Sequence, residues 1–470
     1  MVFSSASFLI FFLPCLLVIY FLVPKRFRYL KNLILLAFSL AFYTCGGPKF
    51  LLLMLLSIII NYIGGRLADP AHSDKTRKFG MVFAIVLGLA LLGWFKYAGF
   101  FGEILHALLP VIPIPQVTLP IGISFFTFQG LSYVIDVYRA DAPVQKNILK
   151  LALYISFFPQ LVAGPIVRYT TVAEEIDHRE ESVSEFSAGA VRFLFGLGKK
   201  MLLANAVANV ADAAFAAAAP SASFAWLGAI AYTFQIYFDF SAYSDMAIGL
   251  GKMFGFHFLE NFNYPYVSKS ITEFWRRWHI SLSTWFRDYV YIPLGGNRCS
   301  KMRNIFNLLV VWFLTGLWHG ASWNFIIWGL WFFVLLIGEK YLWGKALTRL
   351  PAFLRYLYAL LLVVISWVIF RANTLQTAIS YISAMFGGSG AWYDAHSVYY
   401  IVEYWPEWLC CFLAALPVKQ WLQTALEQRN TAVSRAVLVT APKVISLVLL
   451  VMSYCKLITG SFNPFIYFRF

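Results

Sequence analysis

The sequence predicts an all-α, polytopic membrane protein, on three observations. Of the 470 residues, 60% are hydrophobic and only 13% are charged, whereas soluble domains carry about 25% charged residues. Apolar runs recur along the whole chain, many near the roughly 20 residues that cross a bilayer as a helix. Basic residues gather between these runs, as in cytoplasmic loops beside anionic lipid. The net charge of +15 therefore indicates membrane lipid, and not nucleic acid, as the partner.

The apolar runs define the expected membrane helices. We predict roughly eleven to thirteen of them, in a single membrane domain over residues 1–470. Several runs are short, and these are expected to be tilted or re-entrant. The runs cover residues 8–23, 33–43, 50–64, 79–94, 119–135, 149–162, 188–208, 224–250, 305–318, 321–338, 354–370, 409–416 and 437–458.

The longest uncharged stretch, residues 304–338, contains one histidine, His319. A titratable side chain in a membrane segment is costly to bury and is more often functional than accidental. Basic residues flank the stretch on both sides, so both of its ends are expected in the cytoplasm. We therefore predict a helical hairpin, with one helix to about Trp318, a break at Gly320 and a return helix.

His319 is the candidate general base, because the ordinary pKa of an imidazole lies near neutral pH and allows it to take and return a proton. Trp318, Trp323 and Asn324 flank it and are candidate tunnel-lining residues. Asn324 is expected either to orient the ring or donate to an oxyanion, or to satisfy a backbone carbonyl freed by the break.

Residues 268–303, which precede the hairpin, are expected to begin with an amphipathic helix. Ser270 and Glu273 match the capping-box pattern, which marks a helix start. Helical spacing separates aromatic from charged side chains, as in helices that lie at a membrane surface. His279 falls beside the aromatic face, either as a structural histidine bonded to backbone or to an acid such as Asp288, or as a second polar group lining a reaction tunnel. The aromatic face comprises Trp275, Trp278, Leu282, Trp285, Phe286 and Tyr289, and the opposite face Glu273, Arg276, Arg277, Thr284, Arg287 and Asp288.

Two acids, Asp239 and Asp245, lie in an apolar aromatic run and need partners there. They are expected to pair with Arg276 or Arg277 as structural ties, or to line the path of a donor. Gln129 is a further candidate tunnel residue. No metal site is predicted, since there is no HExxH motif and the seven histidines are scattered. Phosphate-binding glycine loops and serine-nucleophile elbows are also missing from the sequence.

Six segments resemble the membrane-bound O-acyltransferase family, in particular its bacterial branch involved in alginate O-acetylation. They occur in the family's order and run from the first half of the chain to past His319. One departure is Ala242, which stands where the family pattern has glycine. The segments are 119–129 (LPIGISFFTFQ), 156–166 (SFFPQLVAGPI), 238–246 (FDFSAYSDM), 260–266 (ENFNYPY), 274–283 (FWRRWHISLS) and 317–321 (LWHGA).

The resemblance implies a ring of helices around a thin core with a central tunnel. A cytosolic acyl donor, acetyl-CoA or an acyl-carrier thioester, would enter one side and a hydroxyl acceptor the other. His319 matches the family's catalytic histidine, and His279 matches its second polar position. The resemblance also implies an extracytoplasmic partner, similar to SGNH hydrolases, that completes the transfer.

The expected function is therefore O-acetylation of an extracellular polysaccharide at a bacterial cell membrane. One alternative is D-alanyl transfer to teichoic acid. A transporter or exporter is an alternative from another class, because broken helices and polar residues at mid-membrane depth are typical of transporters too. We find no internal repeat between the two halves of the chain, although transporters often contain one.

Overall fold

Every regular element of the computed structural model, which describes residues 1–460 and 464–466, is a helix. Contacts between Cα atoms divide the chain into two compact units. Unit 1 comprises Met1–Phe193 and Met246–Leu259, and unit 2 comprises Leu194–Asp245 and Glu260–Phe470. This division describes packing, and the single membrane domain expected for residues 1–470 stays a prediction.

Ten α-helices begin within the first of these units. A π-helix, Ser7–Phe12, leads into the first of them, and another, Gly93–Tyr97, joins the fourth to the fifth. The tenth helix continues across the boundary into unit 2. The helices are α1 (Leu13–Leu22), α2 (Arg28–Thr44), α3 (Lys49–Leu67), α4 (Asp74–Leu92), α5 (Ala98–Leu108), α6 (Ile123–Tyr138), α7 (Ile148–Ser156), α8 (Phe158–Leu161), α9 (Tyr169–His178) and α10 (Val183–Gly198).

The remaining helices begin in unit 2, and the long α12 ends in unit 1. Two π-helices, Lys199–Ala204 and Arg287–Tyr291, and a 3₁₀ turn, Pro265–Val267, complete the unit. The helices are α11 (Asn205–Ala216), α12 (Ala222–Met253), α13 (Ile271–Arg277), α14 (Ile280–Phe286), α15 (Lys301–His319), α16 (Trp323–Tyr341), α17 (Gly344–Arg349), α18 (Ala352–Arg371), α19 (Leu375–Met385), α20 (Ala395–Glu403), α21 (Trp405–Ala415), α22 (Val418–Arg429) and α23 (Ala432–Thr459).

Fewer helices than predicted are long and apolar enough to cross a membrane. Among the described residues there are five such helices, or six if α21 and α22, which meet at a 62° bend, form one span. Several of the predicted runs form shorter elements, and the prediction of eleven to thirteen included tilted and re-entrant helices, so that number stays a prediction. The run 119–135 yields the 16-residue α6, and the run 149–162 breaks at Phe157 between α7 and α8. The five helices are Lys49–Leu67, Asp74–Leu108, Trp323–Tyr341, Ala352–Arg371 and Ala432–Thr459.

A buried ionic cluster ties the loop between α9 and α10 to the first helices of unit 1. The carboxylate of Glu181 accepts hydrogen bonds from Arg28, Lys31 and, at 2.6 Å, the Tyr20 hydroxyl. Burial opposes the negative charge of Glu181, but the bonds from Lys31 and Tyr20 outweigh it and lower the pKa of the carboxyl. Arg179 donates to the Asn32 side chain at 2.7 Å, so charge-assisted bonds hold the side chains of this loop against α1 and α2.

Helices α15 and α16 form an antiparallel pair around a break at Gly320, the position predicted from the sequence. Helix α15 ends at His319 because Gly320 is extended, with φ −172° and ψ 154°. Two glycines allow the helices to approach closely. A Cβ atom on Gly316 would lie 2.3 Å from the Phe325 carbonyl oxygen, and one on Gly329 would lie 2.3 Å from the Trp312 carbonyl oxygen. This close packing fixes the position of His319 at the turn.

The amphipathic segment is not one continuous helix. It forms α13 and α14, separated at Trp278 and His279, where His279 has a left-handed backbone with φ +44°. The predicted start is confirmed, since the Ser270 hydroxyl accepts from the Glu273 amide at 3.0 Å. All six residues of the predicted aromatic face are buried. Their helical spacing continues across the break, so the spacing alone did not indicate that the helix is interrupted.

We predict that Gly316→Ala destabilises the protein by about 1–3 kcal/mol, because the added methyl group collides with the backbone of α16. The midpoint of thermal unfolding in detergent should fall. Gly93→Ala is the matched control, since a Cβ there has no heavy atom within 4 Å. Equal midpoints for both variants would contradict the close helix contact.

Candidate active site

The imidazole of His319 is enclosed by aromatic rings of unit 2. The side chain is 5% exposed. The rings of Trp318 and Trp328 each lie 4.9 Å from the imidazole, and that of Phe370 lies 5.3 Å away, measured between centroids. All three are nearly perpendicular to the imidazole, with interplanar angles of 82°, 84° and 81°. Edge-to-face contacts of this kind restrict the orientation of the ring.

His319 also lines a small cavity in unit 2, with about 10 Å³ of space for the centre of a water-sized sphere. Among the described residues that line the cavity, His319 is the one titratable group, and the others are apolar or aromatic. A cavity of this composition can hold a small apolar group beside a base while it excludes bulk water. The other lining residues are Ile236, Phe240, Trp278, Trp328, Trp367, Phe370 and Ile466.

His279 lies in the same unit but caps a helix. Its Nδ1 accepts a hydrogen bond from the Leu282 amide at 3.3 Å, which makes it the N-cap of α14. The side chain is fully buried, with its ring 4.6 Å from Phe240 and 5.8 Å from Trp318. Burial lowers the pKa of His279 to about 3, so the imidazole is neutral near pH 7. The backbone bond expected of a structural histidine is present, and the tunnel-lining role of His279 stays a prediction.

Asn261, which the sequence reasoning did not single out, fixes the break at His279. Its side-chain oxygen accepts from the Ser281 amide at 3.1 Å and the Ser281 hydroxyl at 2.9 Å, and its carbonyl accepts from the Ile280 amide at 3.0 Å. Its side-chain amide donates to the Ser244 hydroxyl at 3.1 Å. Asn261 is fully buried. In the sequence, Asn261 was marked only by its position in the family-like segment 260–266.

The part of the chain that contains these residues matches a known protein family. A family model for the membrane-bound O-acyltransferase family matches residues 123–381, which include both histidines and Asn261. The chain belongs to the membrane-bound O-acyltransferase family. It is therefore an acyltransferase and a multi-pass membrane protein, as the sequence predicted. The transporter alternative is set aside.

Curated relatives of the acyltransferase extend over most or all of its length. A probable alginate O-acetylase of Azotobacter vinelandii is 41% identical over 100% of both chains. A probable alginate O-acetylase of Pseudomonas aeruginosa is 47% identical over 83% of this chain and 76% of its own. A peptidoglycan O-acetyltransferase of Helicobacter pylori is 34% identical over 83% of this chain and 80% of its own.

The two acids of the acyltransferase's α12 pair with lysines, and the expected pairing with Arg276 or Arg277 was wrong. Asp239 accepts from Lys200 at 2.6 Å, and Asp245 accepts from Lys199 at 2.7 Å. Both lysines belong to the π-helix Lys199–Ala204. The expectation that the acids act as structural ties matches these pairs, although the partners come from a different element.

Arg276 and Arg277 are the last two residues of α13 and do not pair with Asp239 or Asp245. Arg276 is exposed, and Arg277 forms an ion pair with Glu273 at 3.0 Å, one helical turn away. An i, i+4 pair of this kind contributes about 0.3–0.5 kcal/mol to stability. Its role is local support of α13.

The remaining candidates also lie outside the cavity lining. Trp318 packs on both histidines, but Trp323 is 58% exposed. Asn324 is buried and donates to the backbone carbonyl of Ala372, which follows α18. Asn324 thus satisfies a backbone carbonyl at the end of α18, and not one freed by the break at Gly320. Gln129 is fully buried in unit 1, on α6, whereas His319 lies in unit 2.

We predict that Asn261→Ala lowers the free energy of unfolding by about 1–3 kcal/mol, because it removes the acceptor of the Ser281 amide next to the break at His279. Thermal unfolding in detergent measures this loss. Ser281→Ala is the matched control, since it removes one hydroxyl bond and keeps the amide bond. If both variants unfold at the same temperature, Asn261 does not hold the break.

Proposed function

We propose that the protein moves an acetyl group from a cytosolic thioester across the membrane for O-acetylation of an extracellular polysaccharide, with His319 as general base. The observation that carries this proposal is the placement of one titratable ring on the wall of an otherwise apolar cavity. Acyl transfer to a hydroxyl group requires a proton acceptor at the attacking oxygen. The cavity offers that acceptor next to a space for the acyl methyl group.

The geometry of α15 supports delivery towards the outer side. Helix α15 has 19 residues from Lys301 to His319, so at 1.5 Å per residue its ends lie roughly 27 Å apart. This is close to the hydrocarbon thickness of about 30 Å. Basic residues near Lys301 favour the cytoplasmic side for that end. His319 would then accept its proton far from the donor's entry side.

The proposed donor is acetyl-CoA or an acyl-carrier thioester. A thioester is activated for acyl transfer, so neither ATP nor a metal ion is required at this site. Its acyl group would reach the cavity while the bulky part of the donor stays on the cytoplasmic side. His319 would take the proton of the attacking hydroxyl and return it to the departing thiolate.

The proposed acceptor is a polysaccharide outside a bacterial inner or plasma membrane. The relatives' names support this choice, because alginate and the glycan strands of peptidoglycan both offer sugar hydroxyl groups. A separate extracytoplasmic protein, similar to SGNH hydrolases, is proposed to complete the transfer to the polymer. The membrane protein would then supply the acetyl group and the partner would select the sugar position.

We predict that His319→Ala lowers acetylation by at least about 100-fold, the lower range for loss of a general base. The measurement is the acetate that alkali releases from the extracellular polysaccharide of cells carrying the variant. Immunoblots of membranes should show the protein at wild-type level.

His396→Ala is the matched control, because His396 is exposed and lies in the same unit. It should keep acetylation at the wild-type level. Full acetylation by His319→Ala would exclude His319 as the base. Alkali-released D-alanine in place of acetate, dependent on His319, would replace the proposed substrate by D-alanyl transfer to teichoic acid.

A further inference from the structure

A short segment late in the chain, residues 464–466, is bound by the buried pair Lys200 and Asp239. The second carboxylate oxygen of Asp239 accepts from the Ile466 amide at 2.7 Å. The Lys200 ammonium donates to the Pro464 carbonyl at 3.2 Å and lies 4.6 Å above the Phe465 ring centroid. Each of the three residues therefore makes its own contact with the pair.

The ion pair between Lys200 and Asp239 fixes the position of residues 464–466. Lys200 and Asp239 are 2.6 Å apart, and their side chains are only 1% and 4% exposed. A buried ion pair is stable only when its remaining donors and acceptors are satisfied. Here the backbone of residues 464–466 satisfies one donor of Lys200 and one oxygen of Asp239. Displacement of the segment would leave both groups incompletely bonded, so the segment and the pair stabilise each other.

The consequence reaches the catalytic cavity through Ile466. Its amide is fixed on Asp239, while its side chain lines the same cavity as His319. Ile466 is 6% exposed. The other wall residues come from α12, α16, α18 and the α13–α14 break, and most are aromatic. Ile236 and Ile466 are the two aliphatic residues of the lining, and Ile466 is the one that the segment 464–466 contributes.

We propose that Ile466 limits the length of the acyl group that the enzyme accepts, and that Lys200 and Asp239 are positioning residues for it. This inference rests on the proposed function, since it assigns the cavity to the acyl group. An apolar wall discriminates chain length by space alone. One methylene in such a pocket changes specificity by about 10–200-fold.

The test compares acetyl-, butanoyl- and hexanoyl-pantetheine, because pantetheine is the thioester arm that CoA and acyl carriers share. Membranes from polysaccharide-producing cells carry the full-length protein, and mass spectrometry measures the acyl groups transferred to the polysaccharide. Ile466→Ala should raise the butanoyl-to-acetyl ratio by about 10–100-fold. Ile466→Val should raise it less, because Val removes one carbon and Ala removes three.

Asp239→Asn tests the positioning role. It removes the charge that holds Lys200 and weakens the acceptor of the Ile466 amide, so the ratio should shift in the same direction as in Ile466→Ala. Asp245→Asn is the matched control, because it removes the charge from the neighbouring pair with Lys199. The control should leave the ratio at the wild-type value.

The outcomes separate this inference from the proposed function. Wild-type membranes that transfer no acyl group from any of the thioesters would contradict the proposed function. Wild-type transfer of acetyl, with an unchanged ratio in Ile466→Ala and Ile466→Val, would overturn the inference alone. Equal losses of acetyl and butanoyl transfer in both variants would also overturn it, because Ile466 would then support activity without shaping the cavity.

Discussion

Burial of one imidazole among aromatic rings is the constraint on which the rest of unit 2 depends. An unsolvated polar ring costs free energy, and the His319 ring makes edge-to-face contacts with Trp318, Trp328 and Phe370. These rings come from three helices, so the packing of α15, α16 and α18 restricts the orientation of the imidazole. The close approach at Gly316 brings α16 near enough to supply Trp328.

Both units contain buried ion pairs that tie elements distant in the sequence. In unit 1, Glu181 binds Arg28 and Lys31. In unit 2, Asp239 binds Lys200. Loss of one partner from such a pair costs about 3–5 kcal/mol, because a bare charge stays behind. The residues of these pairs therefore stabilise the packing, whereas His319 faces a cavity.

The sequence predicted what depends on local pattern. An isolated titratable residue in an uncharged run marked His319, the glycine after it marked the break, and the Ser270 cap marked the start of α13. Partners distant in the sequence were beyond such reasoning. The sequence does not distinguish Arg276 from Lys200 as the partner of Asp239. The packing of the helices decides that Asp239 pairs with Lys200. Aromatic residues make up 19% of the chain, so nothing distinguished Trp328 as a wall of the cavity.

The two histidines occupy different environments: His279 caps α14, and His319 lines the cavity. The Nδ1 atom of His279 accepts from the Leu282 amide, so the neutral ring carries its proton on Nε2. Protonation of Nδ1 would break the cap of α14, and the pKa of about 3 shows how strongly burial opposes the charge. The ring of His279 packs against Phe240 and Trp318. His319 lines the cavity, and His279 is not among the described residues that line it, so the proposed proton transfer is assigned to His319.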